Sequence, residues 1–159
     1  MLGPEMSGIE QVVAIGGLGG SGTRLMARLM QEAGLAMGER LNRSLDDLWF
    51  SGLFKRPGSD LPLLPTEIQS RYSLFRKLRE HERLGLGEFI QLRVEMRYEK
   101  DSRIFNDPPW KCLFQSDERP IRWGWKEPNT HLFLKTLLKE ESRLRYIHLI
   151  RDGRYMAFS

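Results

Sequence analysis

Several features that would fix a protein's class are scarce in this sequence. There is one cysteine, Cys112, in 159 residues. No disulfide can therefore close within the chain, and a reduced, cytoplasmic setting is the expectation. Histidine occurs three times and never in a Cys/His cluster with ligand spacing, so no metal centre is expected. No apolar run nears the ~20 residues of a membrane span. The opening MLGPEMSGIE has no basic-then-apolar leader pattern. Charge of one sign is not in excess either: 25 Lys and Arg face 21 Asp and Glu, a net +4. With the arginines scattered and no basic block, nucleic acid is not an expected partner, and a small anionic ligand accounts for the surplus equally well. Repeats and low-complexity tracts are also missing. What remains is a single domain over residues 1–159, long enough to bury a core.

Glycine, by contrast, is concentrated in one place. Val12-Val13-Ala14-Ile15 is a short apolar run of the kind buried in parallel strands. It leads into GGLGGSG, five glycines in seven positions, where the backbone can turn sharply with its N–H groups unshielded. From Thr23 the pattern turns helical, with Leu25, Met26, Leu29 and Met30 on one face and Gly34 as the stop. A strand, a glycine loop and a helix start together make a cradle for an anion. Gly17 and Gly22 have the spacing of a nucleoside-triphosphate loop, GxxxxGK[ST], but Thr23-Arg24 stand where Lys-Ser/Thr belongs.

Beyond the loop, Ser44-Leu45-Asp46-Asp47 reads as a capping box opening a short helix with Leu45, Leu48, Trp49 and Leu53. Residues 55–65 hold three prolines and form a connector. Thr66 to about Arg83 is a helix capped at Thr66 and Gln69, with Ile68, Tyr72, Phe75 and Leu78 inside. Its Arg76, Lys77, Arg79, Glu80 and Glu82 are expected in solvent. Glu88 to Lys100 is a further helix with Phe89, Leu92, Arg93 and Met96 on one side. Residues 43–105 would then be a helical insertion shaping an acceptor pocket. Arg122 to Lys126 reads as a strand, and Pro128 opens a helix to about Lys139 with Leu132, Phe133, Thr136 and Leu137 inside. Leu144 to Ile150 is a buried strand, with His148 as a hydrogen-bonded core residue, ending in Arg151-Asp152-Gly153. A last helix starts near Arg154. Strands alternating with helices predict an α/β fold, a parallel sheet flanked by helices, with ligands at the carboxyl ends of the strands. The glycine loop, Lys126 and Arg151 all fall at such ends.

A nucleotide kinase would end its buried strand in a metal-binding aspartate; here that place is taken by Arg151, a fixed cation suited to phosphate. The Ser21-Gly22-Thr23 loop, the Arg151-x7-Ser159 pair in RDGRYMAFS and Gly124-Trp125-Lys126-Glu127-Pro128, in this order, resemble the sulfotransferases that use 3′-phosphoadenosine 5′-phosphosulfate (PAPS). The nearest resemblance is to the tyrosylprotein and related bacterial enzymes. The resemblance implies a P-loop-like sulfotransferase fold, truncated at its C-terminus, with helices still to come and a tendency to self-associate. It implies that Gly19, Gly20, Ser21, Gly22, Thr23 and Arg24 hold the 5′-phosphosulfate, and that Arg151 and Ser159 grip the 3′-phosphate. Lys126 would contact the transferring group, with Arg24 or Lys126 covering the leaving phosphate, because Gly20 stands where the family commonly has Lys or Arg. Glu39 occupies roughly the place of the tyrosylprotein enzymes' base, with Asp46 and Asp47 as rivals. The function implied is in-line sulfuryl transfer to a hydroxyl or amine acceptor, without a metal. The alternatives are a P-loop small-molecule kinase and a non-catalytic nucleotide-binding domain.

Overall fold

A computed structural model of the chain describes residues 11–55, 62–96 and 120–152. The centre is β1 (Gln11–Gly17), whose residues from Val12 onward are all buried. It pairs in parallel with β2 (Arg122–Lys126) on one side and with β3 (Leu144–Leu149) on the other, giving the order β2-β1-β3. The chain leaves β1, returns beside it as β2, then crosses to its far edge as β3. The strand order thus reverses about β1, and the carboxyl end of β1 becomes the crevice where such sheets take ligands. After α1 (Thr23–Glu32), residues 35–37 run along the outer edge of β2, with Ala36 N donating to Arg122 O and Gly124 N to Ala36 O.

The two faces of the sheet are filled differently. Alternate side chains of a strand point to opposite faces, so Val12, Ala14, Trp123, Trp125 and Leu144 face one core. That core takes α2 (Leu48–Phe54), α3 (Pro65–Arg79) and Leu92 of α4 (Leu86–Glu95). It is largely aromatic: Phe50 stacks on Phe54 at 4.2 Å and on Trp125 at 5.2 Å, and Phe75 stands edge-on to Phe50, Trp123 and Trp125. Such offset and edge-to-face pairs are the favoured ring geometries. Val13 and Ile15 face the other way, onto a small cluster with Ala27, Leu35 and Met37.

Helix boundaries and burial depart from the sequence pattern at definite places. In α1 the buried residues are Thr23 and Ala27; of the expected stripe, Met26 and Met30 pack half-buried against the core while Leu25 and Leu29 are exposed, because the small residues let the helix lie close to the sheet. The cap of α2 is Asp47, accepting from Phe50 N, and Ser44 lies outside the helix. Helix α3 begins at Pro65, with Glu67 accepting from Leu64 N, so neither Thr66 nor Gln69 caps it. Its Ile68, Tyr72, Phe75 and Leu78 are buried as expected, but so are Arg79 and Glu80. Their charges are drawn in by partners: Arg79 reaches Ala36 O, and Glu80 accepts from Arg143. Arg93 is exposed, and Phe89 half-buried. Pro128 opens a 3₁₀ turn (Pro128–Leu132) that gives way at Phe133 to α5 (Leu134–Glu140), leaving Leu132 exposed. Strand β3 is only partly buried: its Tyr146, Ile147 and Leu149 are intermediate, and His148 is exposed and hydrogen-bonded to the Tyr146 hydroxyl. Cys112, Ser159 and the helix expected at Arg154 lie outside the described residues.

Candidate functional site

The glycine loop leaves β1 through Gly17, whose φ of 146° is a left-handed value. A side chain there would drive Cβ to 2.4 Å from Leu149 O, so glycine is required by conformation and by space alike. Gly22, at φ 94°, opens α1 with no side-chain cap. The first N–H groups of the helix are therefore left for whatever occupies the turn. Thr23 is buried at the first helical position, and the buried hydroxyl of Ser21 has no hydrogen-bond partner.

Gly22 and Thr23 line a cleft of about 510 Å³ with Gly19, Gly20, Arg24, Leu25, Ser44, Asp46, Lys126 and Pro128. Lys126 comes from the end of β2 on the α1 face and is 3% exposed. Its ammonium donates to Asp46 Oδ1 at 2.5 Å and to Ser44 O at 3.0 Å. Both acceptors belong to a tight loop organised by Asn42, whose Oδ1 accepts from Ser44 N and Asp46 N and whose Nδ2 donates to Asp46 Oδ2. Within it Leu45 is forced to φ 62°, a conformation that costs a non-glycine residue on the order of 1 kcal/mol. Asp47 N donates to Lys126 O, tying this loop to the strand end.

Beneath the loop lies a buried pair. Asp47 is 1% exposed and stands 4.0 Å from Arg79, whose Nη2 donates to Ala36 O and Gly124 O. Burial pushes the Asp47 carboxyl up to about 6, against the opposing pull of Arg79 and of the Phe50 N–H bond. Burial likewise depresses Arg79, opposed by Asp47 and Glu39. Neither charge is fully compensated, since Asp47 Oδ2 and Arg79 Nε lack hydrogen bonds.

Of the residues expected at the site, Gly19, Gly20, Gly22, Thr23, Arg24 and Lys126 converge on the cleft. Ser21 lies in the same loop with its hydroxyl near Gly17. Arg151, beyond the end of β3, donates from Nη1 to Gly20 O at 3.1 Å and so touches the loop from its other side. Glu39 does not join them: its exposed carboxylate pairs with His81 Nε2 at 3.3 Å, and the carboxylate lining the cleft is that of Asp46. Ser159 falls outside the described residues. Sequence reading missed Asn42, Ser44 and the Asp47–Arg79 pair. The signal available for the first was an Asn, whose side chain readily accepts from the backbone N–H two residues on, here Ser44 N. No group of three or more metal-ligating side chains occurs among the described residues, and no described helix is long and apolar enough to cross a membrane. No family model, curated protein or solved structure matches the chain. The geometry by itself gives an α/β protein whose central parallel strand ends in a glycine loop and an uncapped helix start.

Proposed function

We propose that this cleft binds PAPS and that the chain transfers its sulfuryl group to a hydroxyl or amine acceptor. The observation that carries the reading is the buried Lys126 ammonium, which opens on the same cleft as the uncapped start of α1. Helix N–H groups and a fixed cation together suit a doubly charged phosphosulfate. Thr23 would donate its hydroxyl to the 5′-phosphate. Lys126 and Arg24 would stabilise charge growing on the bridging oxygen as the sulfur–oxygen bond breaks, the role such cations play at developing anions. Arg151, anchored at Gly20, would reach a 3′-phosphate beside the loop.

Thermal-shift and calorimetric titration with adenosine 3′,5′-bisphosphate test this directly. Arg151→Ala should weaken that ligand by about 2–3 kcal/mol, the worth of a lost charge-assisted contact, and adenosine 5′-phosphate far less. Equal loss for both ligands would reassign Arg151 to holding Gly20 in place. Protection by magnesium-ATP and none by the bisphosphate would favour a kinase instead.

A further inference from the structure

In the cleft, Lys126 already has a counter-ion. Asp46 stands 2.5 Å from its ammonium, and the surrounding loop is built to keep it there. Asn42 spends both ends of its amide on the loop, bonding Ser44 N, Asp46 N and the second oxygen of Asp46. Asn42 N closes the loop on Asp46 O, and Asp47 N pins it to the Lys126 carbonyl. A strained Leu45 is tolerated within it. A carboxylate fixed in this way repels an incoming anion and occupies the cation that the anion needs. As a permanent structural bridge it would oppose the cleft's own ligand.

We infer, resting on the sulfotransferase reading, that the Lys126–Asp46 pair is a latch: donor binding draws Lys126 away and thereby releases Asp46 as the base. The ammonium has three donors on a flexible stem and turns to the phosphosulfate oxygens, while Asn42 still holds Asp46 at the cleft wall. Asp46 then accepts the proton of the acceptor O–H as that oxygen bonds to sulfur. The bond from sulfur to the 5′-phosphate oxygen breaks with its electron pair left on the phosphate, and Asp46 returns the proton to water after the sulfated product and the bisphosphate depart. The base is thus held neutralised until the donor is in place. Glu39, paired with His81 away from the cleft lining, lacks this coupling. Asn42 acts through Asp46 and is a positioning residue.

The test uses the full chain, with inorganic pyrophosphate and adenosine 3′,5′-bisphosphate as calorimetric ligands and PAPS hydrolysis, with water as acceptor, as the chemical readout. Asp46→Asn should bind both anions about tenfold more tightly, because a fixed negative charge is gone, and should hydrolyse PAPS at least about a hundredfold more slowly. Asn42→Ala, which keeps the charge but frees the loop, should slow hydrolysis without matching that gain in affinity, so kcat and KM separate the two roles. Unchanged or weaker anion binding by Asp46→Asn overturns the latch, and unchanged hydrolysis overturns the base. If pyrophosphate binding depends on Asp46 in this way but the bisphosphate does not bind, the donor reading fails and the counter-ion exchange stands. If both anions bind wild type and Asp46→Asn alike, the latch fails and the donor reading stands.

Discussion

The two faces of the sheet are built on different principles. The face toward α2 and α3 is an interlocking set of rings, with Trp123, Trp125, Phe50 and Phe75 each nearly solvent-free. The face toward α1 is thin: a small cluster of Val13, Ile15, Ala27, Leu35 and Met37, with Met26 and Met30 half-buried on it, seats a helix whose Leu25 and Leu29 are exposed. Stability is concentrated on the first face, and the cleft opens on the second, beside Lys126. A strand can serve both because its side chains alternate: Trp125 is locked among aromatics, and its neighbour Lys126 is thereby aimed across the sheet at a fixed place. The rigid side positions, and the sparse side leaves an open cleft.

Substitution on the aromatic face should break this arrangement most severely. Trp125→Ala removes a fully buried ring that stacks on Phe50 and donates from Nε1 to Thr130 Oγ1. About 3–5 kcal/mol of stability should be lost, read as a fall in the urea midpoint, with anion binding lost in parallel because Lys126 is displaced. A variant that bound anions normally after such a loss would separate the two faces.

Asp47, buried at the cap of α2 beside Arg79, should have a smaller effect that depends on pH. The unfolded carboxyl loses its proton near 3.8, while the buried one keeps it to about 6. The folded chain therefore holds more protons between those values, and the contribution of this group is fully present below pH 4 and lost as pH rises through 6. Arg79 and Glu127 are the charged neighbours acting on it, in opposite directions. Asp47→Asn keeps the helix cap, since Asn caps as well as Asp, and should flatten the decline of stability between pH 4 and 6. An unchanged slope in urea titrations across that range would assign the pH dependence elsewhere.

The smallest effect is expected at Leu25. It is 65% exposed, so Leu25→Gln should change stability by no more than about 0.5 kcal/mol. A clear loss of thermal stability would mean that this outward face of α1 is covered in the protein as it works.

The elements themselves were legible in the sequence wherever a local rule was strong. The bounds of β2 and the start of α1 follow from apolar runs and glycine placement, and the core stripe of α3 follows from its helical period. The glycine loop was legible for the same reason: positive-φ turns at Gly17 and Gly22 need glycine, and glycine can be read directly. Failures occurred where burial depends on a distant partner. Helical spacing placed Leu25 inside and Arg79 outside; the structure reverses both. A helix that packs closely on a sheet favours Ala27 at the contact, and Arg79 finds carbonyls on residues far away in sequence. Glu39 was the expected base, with Asp46 and Asp47 as rivals, because a carboxylate's type says nothing of where it will stand. Only the folding of the Asn42 loop against the end of β2 put Asp46 at the ammonium of Lys126 and Glu39 beside His81. By itself the sequence determined where glycine turns the backbone and where β2 runs, which depends on neighbours along the chain. The tertiary structure decided which charges meet, because electrostatic pairing depends on distances through space that no spacing along the chain encodes.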